Sequence, residues 1–445
     1  MRLTSIAGKV RLKVVQYSRC ISVFLIKIGL RPIILLDSDI SELDWLEISY
    51  DELYFQGVKR LSPVVAFRTV LKKNVTEKYD NYYFDKFSVY RGVDLFYAAE
   101  YSICVSLEIS RYELDLNNPI HFLEACKWIS CGVYITDDLY KLFKKYNPSA
   151  VVIMQGYFVE ACIASQLSNF FGYQLFALEN TFYFKKIICE PITAISVNKT
   201  SVMSYYYRLQ HINPSRKYLP AGHWIDTNIK HKNHESPPET YMWPNNKKRI
   251  LFLGQCLTDS SLLFNVDKGY STIEVLTELI KYTSQRDVHL FIKLHPKEDN
   301  GKTPLHTQYN RLTYRKLVSY FGDNLLNGNI EIDYCNEYST FDLIGKSDVV
   351  VTINSQSGLE GLALGKEVIL LNQAFYDQIG CTWNVSHISI FQSCLDAVLF
   401  EGKCLVNKKI IDAFLDIYFN NYCIDKDAKK LMKALKTRYI SNAFV

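Results

Sequence analysis

Three features are scarce in this chain of 445 residues, and each scarcity removes a class of protein. Paired cysteines are the first. Twelve cysteines (Cys20, Cys104, Cys126, Cys131, Cys162, Cys189, Cys256, Cys335, Cys381, Cys394, Cys404 and Cys423) stand one at a time, Cys126 and Cys131 being the closest two. No Cys-x-x-Cys pair and no Cys/His cluster has metal-ligand spacing, so no metal and no cofactor is expected. Cys104 and Cys162 sit in apolar runs, where cysteine acts as a small core residue, and a reduced, cytoplasmic compartment is the expectation. Long hydrophobic runs are the second absence: no stretch of ~18 uncharged apolar residues could form a spanning helix. The third is a charge excess of either sign. Lys+Arg 51 against Asp+Glu 46 gives +5, too little over this length to point to nucleic acid.

What remains is an ordinary globular composition, 48% hydrophobic and 22% charged, which excludes a disordered or low-complexity chain. At ~150 residues per domain the length suits three domains or two large ones. Aromatics reach 14%, so large side chains are expected in clefts as well as in the core. The first 36 residues carry Arg2, Lys9, Arg11, Lys13, Arg19, Lys27 and Arg31 before the first acid, Asp37. Two readings fit: a solvated basic helix packing Val14, Val15, Ile21, Phe24 and Leu25 inward, or an amphipathic contact with an anionic membrane face. A secretory signal fits worse, because the apolar run Ile21–Ile26 is short and Lys27 interrupts it.

The clearest boundary is the proline-bearing stretch between Ile229 and Lys248, with Pro237, Pro238 and Pro244. Beyond it, apolar runs of about five residues alternate with helical patterns. Strands are predicted at Arg249–Gly254, Val288–Leu294, Ile330–Tyr334, Asp348–Ile353 and Val368–Leu371. Helices are predicted at Ser271–Thr283, Tyr309–Tyr320, Thr340–Ile344 and Gly358–Leu364. Ser271 and Glu274 have capping-box spacing. Apolar strands interleaved with helices mean parallel βαβ units. The same grammar reappears earlier: a strand at Ile33–Leu36, another at Ala150–Gln155, a helix at Phe158–Phe170 and a strand at Leu175–Leu178. The region Val58–Leu116 yields no order. The resulting division is an N-terminal Rossmann-like domain over 1–235, a linker over 236–248, a C-terminal Rossmann-like domain over 249–400 and a helical tail over 401–445.

Doubly wound sheets bind ligands at the carboxyl ends of their strands, so four strand ends hold the candidate residues. After Asp348–Ile353 comes Asn354-Ser355-Gln356-Ser357-Gly358-Leu359-Glu360. Hydroxyls and a glycine at a helix start would cap it and leave backbone N–H groups free for an anion. Glu360 fits a capping box from Ser357 as well as a ligand contact. In Phe291–Glu298, Lys293 and His295 share one strand face and Pro296 ends the strand. In Leu253–Leu262, Gln255, Thr258, Asp259, Ser260 and Ser261 form a polar turn that either closes over a ligand or is solvated. In Phe176–Ser201, Glu179 stands at a strand end and Glu190 follows. Two carboxylates could serve acid/base or nucleophilic roles. In Tyr90–Glu100, Arg91 either pairs with Asp94 or meets an acidic ligand. Basic residues from Lys426 to Arg438 suit a solvated helix face or a partner contact.

Taken together, the segments at His295-Pro296 and Thr352–Thr382 (TINSQSGLEGLALGKEVILLNQAFYDQIGCT) resemble the capsule polysaccharide biosynthesis and export family of bacterial proteins, which includes transferases of 3-deoxy-manno-octulosonate (Kdo) from CMP-Kdo. Gln255 with Asp259-Ser260 is similar to the family's turn after the first strand of this domain. The resemblance implies an α/β fold of two Rossmann-like domains facing across a cleft (the GT-B type), and a glycosyltransferase that needs no metal. It implies a nucleotide sugar near Gln255, Asp259, Ser260, Lys293, His295, Ser355, Ser357, Gly358 and Glu360. A glycan or glycolipid acceptor would approach the N-terminal domain, where Glu179 matches the family's cleft carboxylate. Where relatives carry D-P-x-G-V-N, this chain reads Thr193-Ala194-Ile195-Ser196-Val197-Asn198, leaving Glu190 as the candidate nucleophile. The implied location is cytoplasmic, with peripheral contact at the inner membrane or with a capsule assembly complex. Two other readings stay open: a non-catalytic glycan-binding protein of the export machinery, and a sugar epimerase of similar architecture.

Overall fold

The computed structural model describes residues 32–36, 58–61, 89–181, 183, 185–191, 199–213, 215–229, 239–263, 270–301, 308–322, 325 and 328–441. The basic N-terminal segment, Thr193–Asn198 and Pro237-Pro238 lie outside them.

In chain order the first part comprises β1 (Ile33–Leu36), β2 (Val58–Leu61), a hairpin of β3 (Val89–Tyr90) and β4 (Val93–Asp94), and helices α1 (Leu95–Leu107) and α2 (Pro119–Tyr146). Then follow β5 (Ala150–Met154), α3 (Val159–Phe171), β6 (Gln174–Asn180), β7 (Lys186–Glu190), α4 (Lys199–Ile212) and α5 (Ala221–Ile229). The second part runs β8 (Lys248–Leu253), α6 (Thr272–Gln285), β9 (Val288–Lys293), α7 (Leu312–Phe321), β10 (Ile330–Asp333), α8 (Thr340–Lys346) and β11 (Val349–Thr352). It continues with α9 (Gln356–Ala363), β12 (Glu367–Leu370), β13 (Trp383–Asn384) and α10 (Phe391–Leu399). The chain ends with α11 (Lys408–Ile417), a π-helical turn at Tyr418–Tyr422, β14 (Ile424–Asp425) and α12 (Ala428–Ser441).

Among the described residues the strands outside the β3–β4 hairpin form two six-stranded sheets. The second has the order β10-β9-β8-β11-β12-β13 and is parallel throughout. Counting from its own first strand this is 3-2-1-4-5-6, the doubly wound Rossmann order, and its crevice lies where β8 and β11 adjoin. The runs Ile250–Leu253, Leu290–Ile292 and Val349–Val351 are buried because helices cover both faces of such a sheet. Ser271 caps α6 with the reciprocal Glu274 bond that its spacing predicts. The first sheet, β14-β7-β6-β5-β1-β2, is parallel from β6 to β2 and antiparallel at β7 and β14. These are two Rossmann-like domains facing across a cleft, the GT-B arrangement.

The predicted tail over 401–445 is not an appendage. Ile424 pairs with Ile187 across the edge of the first sheet, and α12 buries Ala428, Leu431, Met432 and Leu435 against that sheet. Lys429, Lys430 and Lys433 face solvent, which is the solvated-face reading of the basic run. Phe414, Tyr418 and Phe419 join α4, α5 and one face of the second sheet in a single apolar cluster. The chain therefore returns from the second domain to the first, and its apolar side chains fasten the two. Arg91 pairs with Asp137 at 2.7 Å, not with Asp94; Asp94 instead caps α1 by accepting the Tyr97 N–H.

Candidate active site

A cavity of about 280 Å³ lies between the sheets. From the first domain it is lined by Gln155 and Glu179, and from the second by Gln255, Asp259, Ser260, Ser261, His295, Asn354, Ser355, Gln356, Ser357, Glu360, Gln373, Ala374 and Phe375. Eight of the sequence candidates meet there: Glu179, Gln255, Asp259, Ser260, His295, Ser355, Ser357 and Glu360. Each lies at the carboxyl end of a strand or in the turn or first helical turns that follow it.

The back wall is a closed polar network across the β8–β11 junction. The buried Gln255 donates its Nε2–H groups to Ser261 Oγ (2.8 Å) and Asn354 Oδ1 (2.9 Å), and its Oε1 accepts the Asn354 N–H (3.2 Å). Asn354 Nδ2 donates to the Ser261 carbonyl at 3.1 Å. Asp259 Oδ1 accepts both the N–H (2.8 Å) and the hydroxyl (2.7 Å) of Ser261. A buried network satisfied in this way holds one geometry, because breaking any member strands a buried polar group. Asp259 thereby caps the short turn Ser260–Leu263 and also lines the cavity.

The wall under β11 corrects two expectations. The cap of α9 is Ser355: its hydroxyl accepts the Ser357 N–H at 3.2 Å, and its carbonyl accepts the Gly358 N–H at 3.1 Å. Two of the amides expected to face an anion are thus already used. What they leave to a ligand is the helix dipole and the hydroxyl protons of Ser355 and Ser357. With Ser355 as cap, Glu360 falls two residues beyond the capping-box position, and its buried carboxylate lines the cavity instead. Gly358 is absent from the lining for a packing reason. A Cβ there would run into the Tyr376 hydroxyl, with Thr352 Cγ2 at 3.1 Å. That buried hydroxyl, its pKa pushed well up by desolvation, donates to the Ser355 carbonyl at 2.5 Å.

Two further candidates lie elsewhere. Lys293 is 3% exposed, and its ammonium donates to Asp333 Oδ2 (2.6 Å) and Asn336 Oδ1 (2.9 Å), tying the ends of β9 and β10 together. Glu190 is fully buried in the first domain and accepts the Tyr422 hydroxyl, linking β7 to the returning chain. Burial inside a paired network takes both away from solvent-borne ligands.

His295 remains at the cavity. Its Nδ1 accepts the Lys297 N–H at 3.1 Å, so the neutral ring carries its proton on Nε2. The turn beneath it is held by Glu298, 1% exposed, which accepts the Thr313 N–H at 2.9 Å; burial raises that carboxyl. Phe375 forms the floor and stacks on Tyr418 (centroids 5.2 Å apart, 28° between planes). The cavity thus rests on the segment that joins the domains.

A family model described as "Capsule polysaccharide biosynthesis protein" matches residues 181–422, more than half of the chain. The chain belongs to the capsule polysaccharide biosynthesis family. Among curated proteins no match is found. Among solved structures, this family member is similar to the KpsC β-Kdo 2,4-transferase of Thermosulfurimonas dismutans, with 17% identity over 65% of this chain and 87% of that one and a TM-score of 0.41. The β-Kdo 2,7-transferase of the same KpsC matches at 15% identity, covering 68% and 89%, with a TM-score of 0.38. The UDP-GlcNAc 2-epimerase of Neisseria meningitidis matches at 12%, covering 91% and 100%, with a TM-score of 0.36.

Of the lining residues of this family member, Gln155, Gln373, Ala374 and Phe375 are not singled out by the sequence, whereas Ser261, Asn354 and Gln356 lie in the polar turns that it marks. The strand-end rule could have found Gln155, the first polar residue after the apolar run Ala150–Met154, and Gln373, which follows β12. Chemically the cavity offers neutral donors in number, one imidazole and three carboxylates, Glu179, Asp259 and Glu360. Among the described residues no group of three or more His, Cys, Asp and Glu side chains could hold a metal ion.

Proposed function

We propose that this family member is a glycosyltransferase of surface-polysaccharide synthesis that takes a sugar, Kdo in the first instance, from a CMP-activated donor to a glycan or glycolipid acceptor. The observation that carries the reading is the meeting of Glu179, from the first domain, with the hydroxyl- and amide-lined crevice of the second. A transferase needs an anion-tolerant wall for the departing nucleotide and a proton-handling group on the opposite side.

In this reading the nucleotide phosphate lies over the start of α9. There the dipole, the Ser355 and Ser357 hydroxyls and the His295 Nε2–H stabilise the charge that develops as the glycosidic bond breaks. The Gln255–Asn354–Ser261 network and the Tyr376 bond hold the backbone that carries the two serines, and the Lys297 N–H orients the His295 ring. Glu179 takes the proton of the attacking hydroxyl. A donor with a single phosphate brings less negative charge to a lining that holds three carboxyl groups than a diphosphate donor would. With Glu190 buried against Tyr422, the carboxylate at the centre of the reaction is Glu179. Peripheral contact with the inner face of the membrane belongs to the same proposal, because a lipid-linked acceptor would be met there.

Incubating the purified protein with CMP-Kdo, UDP-sugars and GDP-sugars, with an oligosaccharide acceptor, tests this reading. Release of CMP together with acceptor extension is expected. Binding of glycan without nucleotide release from any donor would support the glycan-binding reading, and interconversion of free UDP-sugars the epimerase.

A further inference from the structure

Seven non-glycine residues among those described have positive φ, between 42° and 56°: Arg91, Glu108, Asn147, Gln155, Asn310, Arg311 and Asn336. Three are asparagines, which tolerate this region. Glu108 ends α1 and Arg311 starts α7, and Arg91 turns a hairpin with Gly92. Gln155 alone of the seven lines the cavity. It has φ +51°, is followed by Gly156 at +97°, and donates its N–H to the Leu178 carbonyl at 3.0 Å. Since Met154 is in register with Leu178, that bond sets Gln155 beside Glu179 at the carboxyl ends of adjacent strands. Glycine would take this backbone without strain and asparagine with little. A glutamine held here puts a longer amide at the cavity in a conformation its own backbone disfavours, and such outliers gather at ligand sites.

We propose that Gln155 is a sugar-recognition residue, its amide hydrogen-bonding a hydroxyl of the sugar that lies against the first-domain wall next to Glu179. The inference rests on the reading of the cavity as a sugar site. The amide is suited to the task because it donates and accepts at once, as a sugar hydroxyl does, and it stays neutral beside a carboxylate. Among the described residues Gln155 and Glu179 are the whole first-domain lining, so a sugar on that wall meets both.

The test compares wild type with Gln155→Gly and Gln155→Asn by calorimetric titration with free Kdo and, separately, with CMP, alongside melting temperature and the transfer assay. Gln155→Gly should melt at or above the wild-type temperature and bind CMP unchanged, yet bind Kdo at least tenfold more weakly. Gln155→Asn should recover part of that loss. Unchanged Kdo affinity in Gln155→Gly, an equal loss of CMP and Kdo, or no Kdo binding by wild type overturns the assignment. A selective Kdo loss in a protein that transfers nothing would leave Gln155 standing and remove the transferase reading.

Discussion

The two walls of the cleft are built by different strategies. Among the described residues the second domain supplies thirteen of the fifteen that line the cavity, arranged at the switch point of a regular doubly wound sheet and locked by side-chain hydrogen bonds. The first domain supplies two, at the ends of β5 and β6 in a mixed sheet whose edge the returning chain completes. Many fixed neutral donors suit holding; a single carboxylate beside an amide suits reacting. The contrast predicts that damage to the first wall costs turnover or sugar affinity at constant stability and nucleotide affinity, and damage to the second costs stability or nucleotide affinity.

Glu179→Gln is the strongest trial of that division. It keeps the volume while replacing one acceptor oxygen by an NH2 donor and removing the base, and general acid–base groups contribute roughly 10²–10⁴-fold. Turnover should fall by about a thousandfold, with melting temperature and CMP-induced stabilisation as in wild type. A variant that still turns over at wild-type rate would take Glu179 out of the chemistry and dissolve the contrast.

Lys293→Met comes next and probes the second domain away from the cavity. Breaking a buried ion pair by removing one partner costs about 3–5 kcal/mol, because Asp333 is left charged and buried beside the backbone N–H groups of Glu337 and Tyr338. The unfolding free energy should drop by that amount, and with it the denaturation midpoint, and Lys293→Met/Asp333→Leu should recover much of the loss. A normal midpoint with weakened nucleotide binding would instead return Lys293 to the ligand.

How far each wall could be read from sequence follows the same contrast. The second domain's strands are continuous apolar runs and its caps have fixed spacing, so its crevice could be located to within a few residues. Of the two serines read as caps, Ser355 holds the position and Ser357 lies inside the helix. The destination of Lys293 could not be read, because the strand-face rule gives a direction and not a partner forty residues away. In the first domain α1 is buried on most of its faces, from Leu95 to Val105, so it lacks the one-sided period by which helices are recognised. Glu190 looked like a cleft residue because nothing local announces Tyr422, which only the two-residue strand β14 and its turn bring back. Long-range pairing by so short a segment leaves almost no trace in the sequence.

The smallest expected effect concerns how the walls are joined. At one end the returning chain binds the domains through buried aromatic contacts, Phe419 against Tyr183 of the first domain and Tyr418 stacked on Phe375 of the second. At the other the joint is lighter: Leu263 of the second domain enters a small cluster with Tyr101, Cys104 and Tyr157. Two ion pairs, Arg315–Glu108 and Lys316–Glu113, each 3.5 Å long and solvent-exposed, cross beside it. Exposed pairs are worth about 0–1 kcal/mol and are screened as salt rises. Arg315→Ala/Lys316→Ala should therefore shift the melting temperature by no more than about 1–2 °C, while wild-type turnover should change severalfold between low and high salt and the variant's should not. Equal salt dependence in both proteins would mean that these pairs do not bias how far the walls stand apart, and that the apolar joint alone sets the cleft.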